Sequence, residues 1–324
     1  MLSLWPEQAR NQLERMMENT AGEDAPFAVF DADNTVWKHD LEEALLAWLE
    51  RKGAVDLQSF PPELLPLPPA PGEGASAYCQ RLCHVDESIG YLWNAQAFHG
   101  LSLSRLREEI REMMEQGGSV EVPGPGGPLS FQIPRPYPAQ IQLIAELQRR
   151  GVAVWIVSAS VEELVRMVAS DERYGICLPP ERVIGVNLLL QRNDGSRFAS
   201  AWDRKRGLDA ADYFSAERLQ SVVTPHLYAP ATWFAGKVSA IKEWIHPSRR
   251  PVLAAGDSPN DFHMQFYAAA GREGVRLRVD RSAEHARMLE SEIRLRKISA
   301  PADPLPEKGW LVMRPADLGI GDPG

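Results

Sequence analysis

Short apolar runs alternate with longer amphipathic segments along most of this chain. FAVF (27–30), VAVWIV (152–157), PVLAAG (251–256) and GVRLRV (274–279) are bounded by polar or glycine positions and read as strands. RVIGVNLLL and a following strand flank the turn RNDGSR, which reads as a hairpin, and WLVMR forms a last strand. Apolar positions at helical spacing predict helices from Pro6 to about Thr20, over LEEALLAWLERK behind an Asp40 N-cap with Gly53 as its stop, and over roughly 75–98 and 101–116. PAQIQLIAELQRR before Gly151, VEELVRMVA, and KVSAIKEWI opened by Lys237 complete the helical set. Strands alternating with helices imply an α/β fold, a Rossmann-like core with a mostly parallel sheet.

One block breaks the alternation. Residues 41–134 are helical by pattern and carry a proline-rich connector at 61–74, then close on the Gly/Pro-rich stretch VPGPGGPLSFQIPRPYP. This block reads as a helical cap domain inserted into a core made of residues 1–40 and 135–324.

Composition narrows the partners. The 324 residues are 44% hydrophobic and 24% charged, with a net charge of −9. That acidic balance argues against nucleic acid or an anionic membrane as a partner, because both require a basic face. No apolar run is long enough to span a bilayer, and the N-terminal segment has no apolar signal core. The three cysteines, Cys79, Cys83 and Cys177, give no disulfide framework. A reducing, cytoplasmic location is expected. Cys79, Cys83 and His84 lack the second ligand pair of a zinc site, so helix packing is the expected role of the two cysteines. The pattern carries no information on oligomeric state.

The candidate chemistry sits at strand ends. Asp31 and Asp33 follow FAVF, and Asp257 and Asp261 follow PVLAAG. Ser158 follows VAVWIV, and Lys237 opens a helix. Each alone has an ordinary explanation as a helix cap or a solvated charge. Together they mark the carboxyl edge of an open sheet, where such folds bind ligands. Several carboxylates in a small volume need a cation, and an all-oxygen donor set suits Mg²⁺.

The segments DADNT (31–35) and GDSPND (256–261), with Ser158 and Lys237 between them in order, resemble the four motifs of the haloacid dehalogenase-like superfamily. The second aspartate, Asp33, resembles that of the phosphatase members. The stretches LEEALLAWLERKG, LCHVDESIGYLWNAQAFHG, EELVRMVASDERYG, ERVIGVNLLL and TPHLYAPATWFAGKVSAI resemble bacterial phosphorylcholine phosphatases.

The resemblance implies a Mg²⁺-dependent hydrolysis of a small phosphorylated metabolite. Asp31 would be the nucleophile that forms an aspartyl-phosphate, and Asp33 the general acid and base. Ser158 and Lys237 would hold the phosphoryl oxygens. The metal would lie between Asp31, the Asp33 carbonyl and Asp257. Thr35, Asn260 and Asp261 would support the site from behind. Phosphorylcholine would be a substrate, with phosphoserine-type and other small-metabolite phosphatases, or a non-catalytic metal- and phosphate-binding protein, as alternatives. A quaternary ammonium group wants aromatic walls and a carboxylate. Trp37, Tyr91 and Trp93 are the expected walls, and Asp86 or Glu87 the counter-charge.

Overall fold

The computed structural model describes residues 2–22, 24–207, 210–229, 231–268, 273–299 and 305–320. The elements in chain order begin with α1 (Glu7–Asn19), β1 (Phe27–Phe30), β2 (Trp37–Lys38), α2 (Leu41–Arg51), α3 (Ala75–Val85), α4 (Glu87–Gln96) and α5 (Leu103–Gln116). Then come β3 (Ser119–Val122), β4 (Leu129–Gln132), β5 (Arg135–Pro136), α6 (Pro138–Arg149), β6 (Ala153–Val161), α7 (Glu162–Ala169), β7 (Val183–Val186), β8 (Leu188–Gln191) and β9 (Arg197–Phe198). The C-terminal part holds α8 (Ser200–Arg206), α9 (Ala216–Leu219), β10 (Val222–Leu227), α10 (Ala235–Ala240), β11 (Leu253–Gly256), α11 (Phe262–Tyr267), β12 (Val275–Val279), α12 (Ala283–Ser299) and β13 (Trp310–Met313).

Six strands form the central sheet in the order β13-β12-β11-β1-β6-β7, and every pairing is parallel. The chain winds from β1 outward through β6 to β7, then returns to build β11, β12 and β13 on the other side. The direction of winding therefore reverses beside β1, and a crevice opens there at the carboxyl ends. Both faces are covered, which is why FAVF is apolar throughout. Ala28, Phe30, Val154, Ile156, Leu253 and Ala255 join the larger core, whereas Phe27, Val29, Val157 and Ala254 pack with Ile241 and Met264 on the opposite face.

The segment between β1 and β6 leaves and re-enters through one antiparallel stem, with Trp37 opposite Pro136 and Lys38 opposite Arg135. Inside it lie α2–α5 and the antiparallel hairpin β3–β4. That hairpin occupies part of the Gly/Pro-rich stretch, so the insert is not wholly helical. The expected helix over 75–98 is two helices. Asp86 takes an extended conformation (φ −162°, ψ 122°), and its carboxylate caps α4 by accepting from Ser88 N–H.

Two strands also differ from their expected spans. RVIGVNLLL breaks at Asn187: β7 stays in the central sheet, and β8 enters a small sheet with β9 and β10. The RNDGSR hairpin is present, with Leu190 opposite Phe198 and Gln191 opposite Arg197. β6 runs on to Val161 and slips register against β7 between Val157 and Val161. Ser158 therefore lies within an irregular strand rather than after one. Among the described residues, no helix is long and apolar enough to cross a membrane.

Candidate active site

Asp31 is the first residue beyond β1, and its N–H is still held in the ladder by Ala255 C=O at 2.9 Å. Its carboxylate is buried and doubly held. Oδ1 accepts from Lys237 Nζ at 2.5 Å, and Oδ2 from Thr35 Oγ1 at 3.2 Å. The Thr35 carbonyl is in turn fixed by Gln140 Nε2 at 3.0 Å. Lys237 is fully buried and also donates to Asp261 Oδ1 at 2.7 Å. Burial pulls the ammonium down, but Asp261 and Asp31 outweigh it and hold Lys237 above its ordinary value.

Asp257 and Asp261 straddle the turn after β11. Asp261 Oδ2 accepts from the N–H groups of Asp257 at 2.9 Å and Ser258 at 3.2 Å, so both of its oxygens are engaged. Asp257 pairs with the Arg281 guanidinium, which follows β12. Burial pushes the Asp257 carboxyl up to about 6, with Arg281 opposing.

Asp33 is gripped at three points. Oδ1 accepts from Trp37 Nε1 at 2.7 Å and Leu41 N–H at 2.8 Å, and Oδ2 from Ser160 Oγ at 2.6 Å. Burial raises its pKa, and these bonds work against the rise. Because Oδ1 already accepts two donors, a proton on this carboxyl belongs on Oδ2.

Ser158 faces the same cavity, its carbonyl held by Thr232 Oγ1 at 2.5 Å. Asn260 also lines it, and its Oδ1 accepts from Phe234 N–H at 2.5 Å. That bond steadies Phe234 in a left-handed conformation (φ 49°) just ahead of Lys237.

The cavity measures about 90 Å³ and is walled by the sheet edge and the insert. From the insert side come Asp40, Glu42, Glu43, Cys79, Cys83, Tyr91 and Asn94. Glu42 is buried and raised to about 8, chiefly by burial and against a bond from Val161 N–H. A larger cavity of about 540 Å³ lies by Thr20, Phe27 and Arg249, away from Asp31, Ser158, Lys237 and Asp257.

The structure thus brings together Asp31, Asp33, Thr35, Ser158, Lys237, Asp257, Asn260, Asp261 and Tyr91. It does not bring the other expected substrate contacts to the cavity. Trp37 is fully buried behind Asp33 as its hydrogen-bond donor. Trp93 is buried in the insert, stacked on Phe60 at 5.3 Å and edge-on to Tyr78 at 4.9 Å. Asp86 is spent on capping α4, and Glu87 is exposed beside Tyr91.

Ser160, Asp40, Glu42, Glu43 and Arg281 line or brace the site and escaped the sequence reading as site residues. Ser160 had a signal, since positions two apart on a strand share a face and Ser158 was already singled out. Arg281 lies two positions beyond a strand that ends at the carboxyl edge, the same rule that found Asp257.

The donor set can be tested against a metal. Carboxylate oxygens of Asp31, Asp257 and Asp261, all buried, lie within 4.8 Å of one another. Burial, Asp261 and Asp257 all push the Asp31 carboxyl upward against Lys237. Such a cluster suits a hard divalent cation. Asp31 and Asp257 line the cavity, whereas Asp261 lies behind it with one oxygen on Lys237 and the other on two backbone N–H groups, so Asp31 and Asp257 are the residues that would ligate it.

A parallel sheet with an insert after its first strand carries an aspartate–serine–lysine–aspartate set at its carboxyl edge, where open α/β sheets bind ligands. Residues 28–265 match the family model described as haloacid dehalogenase-like hydrolase; the chain belongs to this family and is a phosphatase. It is 34% identical over 328 aligned positions to a phosphorylcholine phosphatase from Pseudomonas aeruginosa, covering 98% of this chain and 93% of that protein. Among solved structures it is similar to a protein of unknown function from Anaerococcus prevotii, with a TM-score of 0.61, 17% identity and 90% of each chain covered.

Proposed function

We propose that the chain is a Mg²⁺-dependent phosphomonoesterase working through an aspartyl-phosphate on Asp31, with residues 41–134 as its cap and a small amine-bearing ester such as phosphorylcholine as substrate. The observation that carries the reading is the Asp31 carboxylate, held between Lys237 and Thr35 while Asp257 and Ser158 converge on the same cavity. Mg²⁺ held by Asp31 and Asp257 would supply positive charge to a phosphoryl oxygen.

The protein's own steps follow from placement. Asp31 attacks phosphorus, and the bond to the leaving oxygen breaks. Asp33 donates the Oδ2 proton to that oxygen, aided by its raised pKa. Water then attacks the phosphorylated Asp31, Asp33 takes the proton back, and phosphate leaves. Lys237 and Ser158 stabilise the charge on the transferring group, which is most of the catalysis expected for phosphoryl transfer.

The leaving-group side of the cavity is acidic. Asp40, Glu42 and Glu43 line it with Tyr91, whose ring lies 6.0 Å from that of Trp233. Burial raises all three carboxyls, and a cationic head beside the aromatic face would favour their ionised forms. Arg281 lines the cavity too, but it is paired with Asp257, which weighs against a substrate carboxylate such as that of phosphoserine.

The test is phosphate release from phosphorylcholine, phosphoethanolamine and phosphoserine by protein stripped with a chelator and then reloaded with Mg²⁺. Preference for phosphorylcholine that returns with Mg²⁺ is expected. Equal, slow turnover of all three would remove the amine reading, and full activity of stripped protein would remove the metal.

A further inference from the structure

Two of the chain's cysteines stand in the wall of the catalytic cavity. Cys79 and Cys83 lie four residues apart on α3 and so share one helix face. Both line the cavity that holds Asp31, Asp33 and Asp257. Both are free thiols. Cys79 is buried, whereas Cys83 is half-buried and opens toward the cavity. Cys83 is also pinned from behind. At Gly90 of α4 an added Cβ would come within 2.1 Å of Cys83 Sγ and 2.7 Å of Cys83 N, so the helices leave the sulfur no room on that side.

We propose that Cys83 and Cys79 form a peroxide-sensitive dithiol in which oxidation of the pair disables the catalytic cavity. Cys83 is the half that reacts first. The bond from Cys79 lowers its pKa, while Cys79 itself is raised by that bond and by burial. A partly exposed sulfur of lowered pKa beside a second cysteine is the arrangement of a redox-responsive pair. Hydrogen peroxide is the oxidant, small enough to enter a cavity of about 90 Å³ that a disulfide-bearing peptide would not fit.

The Cys83 thiolate attacks a peroxide oxygen. An S–O bond forms, the O–O bond breaks and hydroxide leaves, so sulfur is oxidised and peroxide reduced. The Cys79 sulfur then attacks Cys83 sulfur. An S–S bond forms, the S–O bond breaks, and water leaves with the Cys79 proton. Two thiols and one peroxide give one disulfide and two waters. Bridging positions four apart draws in the face of α3 that walls the cavity, displacing the groups that meet substrate.

The test treats the full chain with one equivalent of peroxide and reads mass and turnover of p-nitrophenyl phosphate. The expected result is loss of two hydrogens, a peptide map linking Cys79 to Cys83, and a fall in kcat/KM of about tenfold or more that dithiothreitol reverses. Cys79→Ser should stop at one added oxygen on Cys83, trapped by dimedone. Cys83→Ser should form no link and resist peroxide, and Cys177→Ser should behave as the unaltered protein. The inference is overturned if no Cys79–Cys83 link forms, if the link leaves kcat/KM unchanged, or if Cys177→Ser alone abolishes the sensitivity. The mass readout needs neither folded variants nor any particular substrate, so its failure is separate from failure of the substrate assignment.

Discussion

Ser160 donates its hydroxyl to Asp33 Oδ2 at 2.6 Å, joining the strand that carries Ser158 to the loop that carries Asp31. The bond favours the carboxylate and so lowers the Asp33 pKa against the effect of burial. Ser160→Ala removes it. The Asp33 pKa then rises further, and the base form that the proposed second step requires becomes scarcer at neutral pH. The expected result is a kcat reduced on the order of tenfold, with the acidic limb of the kcat–pH profile moved to higher pH. A profile that falls in height without moving would show that Ser160 acts on something other than the proton of Asp33.

Asp31→Asn keeps the shape of the side chain and removes its charge. Lys237 retains Asp261 as a partner at 2.7 Å, so the buried ammonium is not stranded. Hydrolysis should fall by about a thousandfold or more while the thermal unfolding transition stays cooperative. Turnover within tenfold of the parent under saturating substrate would exclude attack by this carboxylate.

The sheet core was legible because fully apolar runs bounded by polar turns have few alternatives in an alternating α/β pattern. The convergence of Asp31, Ser158 and Asp257 was legible for a related reason: polar residues meet at the carboxyl edge of such a sheet, although Ser158 sits inside an irregular strand rather than after one. Tyr91 reaches the cavity as expected, but the other two aromatic contacts, Trp37 and Trp93, do not. Trp37 reads equally well as a cavity wall or a buried donor. The choice depends on a loop whose Asn34 (φ 58°) and His39 (φ 73°) adopt left-handed conformations that no hydrophobic pattern encodes. Trp93 went astray because its partner Phe60 lies beyond the proline-rich connector. The β3–β4 hairpin was hidden by the glycines and prolines of its own turn.

Glu42 gives a pH signature of its own. It is buried on α2, and burial raises it from 4.5 to about 8. In the unfolded chain the group ionises near its ordinary value, so between these two pKa values the native state binds more protons than the unfolded state. Native stability therefore falls as pH rises through that window, on the order of 1 kcal/mol per pH unit from this group. Glu42→Gln keeps an oxygen for Val161 N–H and removes the titration. The variant should be more stable than the parent at pH 8 and close to it at pH 5, read by urea melts at both. An unchanged difference between the two pH values would mean that Glu42 is ionised in the native protein.

Gly256 tests whether the turn that carries Asp257 and Asp261 depends on close backbone approach. It ends β11 just ahead of Asp257, and a Cβ placed there would lie 2.3 Å from Asp261 Cβ and 2.5 Å from its Cγ. Asp261 cannot retreat without giving up Lys237, or the N–H groups of Asp257 and Ser258 that shape the turn. Gly256→Ala should therefore cost roughly 1–3 kcal/mol, the usual range for overpacking a tight interior. It should also weaken Mg²⁺ binding measured by calorimetry, because Asp257 moves with the turn. Gly126→Ala is the control: that glycine is exposed, has no positive φ, and meets nothing within 4 Å of an added Cβ. Equal melting temperatures and equal Mg²⁺ affinity for the two variants would show that the turn tolerates a side chain, and that the contact between Gly256 and Asp261 does not set the geometry of the site.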